Sequence, residues 1–418
     1  MQTNMKLDHQ LLAVEDEHTV SGMLELTAPD APTTGRRPLH VVLVIDRSGS
    51  MQGAKLDAAK DAARFLAARL TGDDRLGVVV FDDTVDLVLP LGPVDTAHAD
   101  IAIAAIEAGG STNLSGGWLK GIEEIARGAD VDATRRVLLL TDGQANVGIV
   151  ADDQLRGLAA GTKSQVATTT IGFGEGFDED LLEAIADASG GASYYCAGPE
   201  DAPGVFTEEF DGLASIVAQN LSVEIVATDD VKLLGVLNDY PLADVPGGFQ
   251  VQIGDIYGGE TRRVVFKLFV PQVAELGVKR VAELIVRYVA TGAHVAQHQV
   301  TVPVTVNLVS ADEAAAAEAD HEVSEQVIIL ESARATKEAR DRADRGDFDG
   351  AARLLRSHVA DLRDAGTDAT VAQACLLDDY VAGLTATTYS PAHRKQMTND
   401  SHRTHRGKPT RRRPSKDR

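Results

Sequence analysis

Three short stretches hold the residues whose types and spacing could do chemistry: Asp46-Arg47-Ser48-Gly49-Ser50, Gly109-Gly110-Ser111-Thr112-Asn113 and Thr141-Asp142-Gly143. Between them they offer two carboxylates, Asp46 and Asp142, and three hydroxyls, Ser48, Ser50 and Thr112. A donor set made only of oxygen, with few charges, suits a hard divalent cation such as Mg²⁺, which keeps waters and an open position. Each stretch also has a plainer reading. Asp46 can cap a helix beginning near residue 52, with the two serines filling a turn. Thr112 can cap a helix, and Asp142-Gly143 can be a turn.

What distinguishes the three is the elements that position them. Residues 41–46 form an apolar, β-branched run of the kind a strand buried on both faces needs, and it stops at Asp46. Residues 136–140 form a second such run, which stops just before Thr141-Asp142. Thr112 follows a Gly pair and precedes a helical run at 115–127. Further strands are predicted at 75–81, 166–172 and 193–196, and helices at 55–70, 96–107, 152–160, 178–188 and 204–219. Strands alternating with helices imply a doubly wound, mostly parallel α/β sheet. Residues 83–90 follow strand 75–81 after a link too short for a parallel crossover, so they read as an antiparallel edge strand. Ligands of open α/β sheets bind beyond the carboxyl ends of the strands. All three stretches fall there.

Asp-x-Ser-x-Ser, then Thr after a Gly pair, then Thr-Asp-Gly, resembles the metal-ion-dependent adhesion site of von Willebrand factor type A domains. The resemblance covers roughly residues 38–219 and all five motif positions. It implies a divalent cation, Mg²⁺ with Mn²⁺ or Ca²⁺ as alternatives, held directly by Ser48 and Ser50. Thr112 would bind directly or through water, and Asp46 and Asp142 largely through water. It also implies that the vacant position takes a carboxylate from a partner protein, with Met51, Asn113 and Asn146 at the mouth setting partner choice. Arg47, beside the metal loop, is compatible with that site if its side chain points away.

The flanks read differently. Residues 1–37 hold strands too short to fold alone. Residues 220–309 alternate with period two between Gly- and Pro-bearing turns, as an antiparallel β-sandwich does. The α/β domain of residues 38–219 is therefore expected to be inserted in that sandwich, with strands of residues 1–37 completing it. Residues 310–388 turn helical, with a hairpin turn of tetratricopeptide type at Gly346-Asp347-Phe348 and no second copy of it. Residues 389–418 are rich in Arg, Lys, His, Ser and Thr and are expected to be a disordered basic tail. The arrangement as a whole is similar to bacterial proteins with this domain set in a sandwich and followed by helices.

Composition narrows the function further. The 418 residues are 44% apolar, enough for packed cores in more than one domain, and carry a formal charge of −23, which argues against nucleic acid as a specific partner. The charge is uneven: from Arg394 onward ten Lys and Arg residues face only Asp400 and Asp417. Arg411-Arg412-Arg413 fits a solvated tail folding back on an acidic body better than a nucleic-acid site. Two distant cysteines, Cys196 and Cys375, do not make a disulfide framework. No signal-type segment opens the chain and no apolar run approaches the roughly 20 residues of a membrane span, so a cytoplasmic location is expected.

Rival readings are weaker. A metal-dependent hydrolase or phosphotransferase of haloacid dehalogenase type would need a second carboxylate two residues after Asp46, where Ser48 stands. Gly172-Phe173-Gly174-Glu175-Gly176 misses dinucleotide-binding spacing. His40, His98 and His298 lack ligand spacing to one another. The expectation is a non-enzymatic, metal-dependent binding or scaffolding protein of undetermined oligomeric state.

Overall fold

The computed structural model describes residues 1–31, 36–128, 133–143, 145–162, 166–174, 176–291, 296–385 and 388–407. Three strands open the chain, β1 (Gln2–Leu7), β2 (Leu11–Ala13) and β3 (His18–Thr27). The α/β layer follows: β4 (Leu39–Asp46), α1 (Ala54–Arg69), β5 (Arg75–Phe81), β6 (Val85–Pro93), α2 (Thr96–Ala104), α3 (Leu114–Arg127), β7 (Thr134–Thr141), α4 (Asp152–Thr162), β8 (Ala167–Phe173), α5 (Glu179–Ser189), β9 (Ser193–Cys196) and α6 (Ala202–Ala214). The sheet order is β6-β5-β4-β7-β8-β9, with β6 the antiparallel edge strand. Every residue of β4 is buried, as its uninterrupted apolar run requires. The chain leaves β4 for β5 on one side and later returns to β7 on the other. The carboxyl ends of β4 and β7 therefore flank the point where the winding reverses, where open α/β sheets bind ligands.

Helix α3 lies close against this sheet because of its glycines. A Cβ on Gly121 would stand 2.4 Å from Val44 Cγ2, and one on Gly117 2.4 Å from Phe81 Cδ1. The close approach brings the loop before α3, with Thr112, down onto the strand ends. On the opposite face α1 presents Leu56, Ala59, Ala63 and Leu66 to the sheet at helical spacing.

The chain then continues as strands: β10 (Ile216–Ala227), β11 (Lys232–Val236), β12 (Leu242–Val245), β13 (Gly248–Tyr257), β14 (Thr261–Val270), β15 (Gly277–Ala290) and β16 (Ala296–Val309). They form two sheets, β1-β3-β14-β11 and β12-β13-β10-β15-β16-β2, which share one apolar core. β3 pairs along its whole length with β14, so strands from before and after the α/β layer complete one sandwich. The expected helix at 204–219 is corrected: α6 ends at Ala214, and β10 starts at Ile216 rather than near Leu221. Sheet contacts claim the intervening residues. The Ser215 carbonyl accepts from Gly258 N–H (2.8 Å), and the Ile216 carbonyl accepts from the Thr291 hydroxyl (2.8 Å).

Helices follow: α7 (Ala311–Ala315), α8 (His321–Asp344), α9 (Phe348–Ala365) and α10 (Asp368–Gly383). α8 lays Val323 and Leu330 on Met23 and Val265 of the sandwich, and Ala335, Ala339 and Ala343 against α9. Gly346 ends α8 at φ +86°, and Asp347 caps α9 by accepting from Gly350 N–H (2.9 Å).

The expectation of disorder from residue 389 is wrong for most of that segment. A further helix, α11 (Pro391–His405), packs against α8 and the α/β layer. Its cations are neutralised by the acidic body. Lys395 Nζ donates to the Phe177 carbonyl (2.5 Å), pairs with Glu179 and sits 3.9 Å from the Phe177 ring centroid. Arg394 reaches Glu179, Asp180 and Asp344. His402 and Arg406 share Asp187, and Arg403 meets Glu208. The helix end also touches the sandwich, where the His405 carbonyl accepts from Asn238 (2.9 Å) and the Arg406 carbonyl from Arg262 (2.8 Å). Composition read this segment as unable to bury an apolar face. The face it buries is mostly polar and ionic, with Met397 entering the apolar core of the helices. The Arg411–Arg413 run lies outside the described residues. Among those described, no helix is long and apolar enough to cross a membrane, and neither Cys196 nor Cys375 is in a disulfide.

Candidate metal centre

Asp46, the last residue of β4, is fully buried and is held by neutral donors. Its Oδ1 accepts from Ser48 N–H (2.8 Å) and its Oδ2 from the Thr141 hydroxyl at the end of β7 (2.6 Å). Burial raises the Asp46 carboxyl above its ordinary range; the Thr141 and Ser48 bonds oppose that rise, and the charge of Asp142 adds to it. After Ser48 the chain makes a short 3₁₀ turn, Gly49–Met51, which turns Ser50 back toward the strand ends. The Ser48 and Ser50 hydroxyl oxygens lie 3.2 Å apart. Ser50 donates to Asp142 Oδ1 (2.7 Å), which ties the first stretch to the third.

The second stretch is fastened to the first by backbone. Gly109 N–H donates to the Arg47 carbonyl (2.8 Å), and Gly49 N–H to the Gly110 carbonyl (3.1 Å). Gly110 sits at φ +60°, and a Cβ there would fall 1.9 Å from Asp83 Oδ1, so only glycine serves. Asn146 braces Thr112: its side-chain oxygen accepts from Thr112 N–H (2.9 Å), and its own N–H donates to the Thr112 carbonyl (3.1 Å). Gly143 completes the convergence. The position a Cβ would take there is 3.1 Å from Thr112 Oγ1 and 3.8 Å from Asp46 Oδ2.

The structure thus places Asp46, Ser48, Ser50, Thr112 and Asp142 at one edge. Their arrangement fits a hard divalent cation. Mg²⁺ at about 2.1 Å from each octahedral ligand needs adjacent ligand oxygens about 3 Å apart, and the two serine hydroxyls are 3.2 Å apart. Among the described residues no cluster of three or more His, Cys, Asp or Glu forms another candidate. Arg47 points away, bonded to Asp82 (3.0 Å), Thr84 (3.1 Å) and Asp86 (2.6 Å).

The expected mouth is corrected at Met51. Met51 is fully buried in the core because its 3₁₀ turn faces inward. Asn113 caps α3 by accepting from Gly116 N–H (3.0 Å). Asn146 is exposed but serves as the brace just described. Sequence reasoning also missed Lys55, on the first turn of α1, whose ammonium pairs with Asp142 Oδ2 and lies 3.4 Å from the Ser50 carbonyl. Its one signal was its position a helical turn beyond the metal loop.

Residues 40–207 match the model of the von Willebrand factor type A domain. The chain is 29% identical over 340 residues to the uncharacterized protein sll0103 of Synechocystis sp., an alignment covering 77% of this chain and 78% of that protein. A solved structure described as von Willebrand factor type A from Catenulispora acidiphila superposes with a TM-score of 0.74 at 20% identity, covering 98% of this chain and 97% of that one. The ArnB paralog VWA2 from Sulfolobus acidocaldarius superposes at 0.64 with 17% identity, covering 97% and 98%. These two show a shared fold over nearly the whole length.

Proposed function

From the premise that residues 40–207 are a von Willebrand factor type A domain, we propose that this protein is a non-enzymatic binding or scaffolding protein whose adhesion-type metal site grips an acidic residue of a partner protein. The observation that carries the reading is the convergence of two carboxylates and three hydroxyls at the strand ends, with the serine oxygens at the separation adjacent metal ligands require. Ser48, Ser50 and Thr112 would hold Mg²⁺ and Asp46 and Asp142 would support it from an outer shell. The bound cation supplies an electrophilic position that takes a carboxylate oxygen. The chain's own contribution is preorganisation. Thr141 and the Ser48 amide fix Asp46, Asn146 fixes Thr112, and backbone bonds between the loops set their spacing. Neutral hydroxyl ligands leave the cation's charge largely unquenched, so it favours an anionic ligand. The sandwich and the helices position this head, and the cytoplasm is the compartment proposed for it.

Titration of the full chain with Mg²⁺ and Mn²⁺ by calorimetry tests the reading. One saturable site is expected, with affinity falling at least about 100-fold in Asp46→Ala combined with Ser48→Ala (losing a group that only orients the metal's ligands costs about 10–100-fold). Capture of partner proteins is expected to require the metal and to be lost with a chelator. Equal metal binding by both proteins would overturn the site.

A further inference from the structure

We propose that Lys55 is a built-in second cation of the metal edge, which lowers metal affinity and selects a carboxylate as the ligand of the loaded site. The inference rests on the adhesion-site reading above and adds the residue that sets the charge of that site.

Four observations place Lys55 in this role. Its ammonium pairs with Asp142 Oδ2 while Ser50 takes Oδ1, so both oxygens of that carboxylate are occupied and only one of them by a charge. A second contact to the Ser50 carbonyl (3.4 Å) aims the ammonium at the residue that bears a metal-binding hydroxyl. The stem has a prepared path: Gly174 adopts φ +68°, and a Cβ there would lie 3.3 Å from Lys55 Cε and 3.5 Å from Nζ. Finally, the side chain is 35% exposed beside the exposed Ser50, so the ammonium stands at the rim where a ligand would enter. Arg47 is turned onto Asp82 and Asp86 and does not compete for this place.

The charge balance gives the consequence. Asp46 and Asp142 bring two negative charges. A divalent cation on those two alone yields a formally neutral edge, where only the cation's own short-range field favours an anion. With Lys55 the protein part carries one negative charge and the loaded edge one positive charge. A like charge beside the metal weakens metal binding, and the same charge strengthens a carboxylate on the vacant position. Lysine suits this place better than arginine, since a compact ammonium on a flexible stem can share one carboxylate oxygen and still turn a donor toward a ligand.

The test uses the full-length chain and Lys55→Met, which keeps the stem and removes the charge. Mn²⁺ affinity is read by calorimetry, and acetate binding by the broadening of the acetate proton signal at saturating protein-bound Mn²⁺. The variant is expected to bind Mn²⁺ about three- to tenfold more tightly and acetate about tenfold more weakly, and Lys55→Arg to recover part of the acetate binding (a single partly exposed charge at this distance). A wild-type protein that binds Mn²⁺ while Lys55→Met matches it in both affinities, with an unchanged circular dichroism spectrum, overturns the role of Lys55 and leaves the metal site standing. Failure of both proteins to bind Mn²⁺ overturns the metal site and this inference together.

Discussion

The strand ends beside β4 and β7 and the two ends of helix α5 each gather carboxylates of the α/β domain, and the two regions treat them in different ways. At the strand ends, Asp46 meets neutral donors, the Thr141 hydroxyl and Ser48, and Asp142 meets a hydroxyl and the partly exposed Lys55. Along α5, Glu179, Asp180 and Asp187 are covered by Lys395, Arg394, Arg340, His402 and Arg406, drawn from two other helices. Carboxylates saturated with cations have no remaining affinity for a metal, and they act as a clamp between the α/β layer and the C-terminal helices. At the strand ends a single ammonium serves two carboxylates, so that edge keeps net negative charge for a cation. Acidic residues are common in this chain, and the nature of their neighbours separates a receptive site from a structural one.

The comparison can be broken by moving one effect into the other region. The largest expected effect is the loss of metal uptake in the Asp46→Ala, Ser48→Ala protein, while Glu179→Gln leaves the Mg²⁺ isotherm unchanged. A shift of that isotherm in Glu179→Gln would show that the two regions are coupled. Glu179→Gln should instead act on stability. It removes the Glu179 charge from the buried ammonium of Lys395, 4% exposed, and breaking such a pair costs about 3–5 kcal/mol, read as a lower denaturant midpoint. Asn146→Ala sharpens the receptive side. It removes the side-chain bond to Thr112 N–H and should weaken Mg²⁺ binding about fivefold, with a stability loss of about 1 kcal/mol.

The smallest effect is a pH dependence confined to the clamp. Burial disfavours the His402 imidazolium, yet Glu183 and Asp187 beside it hold its pKa above the ordinary value, with Arg406 opposing them. A histidine raised in the folded state stabilises fully below its unfolded pKa of about 6.5, and the contribution is lost as the pH rises through the folded value. The stability advantage of the wild-type protein over His402→Gln should therefore be present near pH 6 and shrink as the pH rises above the unfolded value in urea titrations. An advantage that grows with pH would assign His402 the opposite role.

Much of the receptive side was legible in the sequence. Asp46 and Asp142 each end an apolar run that must be a buried strand, and Thr112 follows a Gly pair before a helix. Little of the clamp was legible. α11 has few apolar residues at helical spacing, and hydrophobic periodicity cannot register a face made of ions. Met51 shows a subtler limit: its type suits both a rim and a core, and the 3₁₀ turn that buries it is set by the loop's bonds to Gly110.

By itself the sequence determined which residues stand at the ends of which strands, because strand burial and strand termination are local and the side chains that follow a strand end travel with it. It thereby determined the donor chemistry of the edge. Tertiary structure alone decided which way the neighbouring cations turn. Arg47 swings out to Asp82, 35 positions on. Lys55 swings in to Asp142, 87 positions on. Arg406 finds Asp187 at a separation of 219. The physical reason is that an ion pair is selected by distance in space and by the dielectric around it, and neither quantity is written in the spacing of residues along the chain.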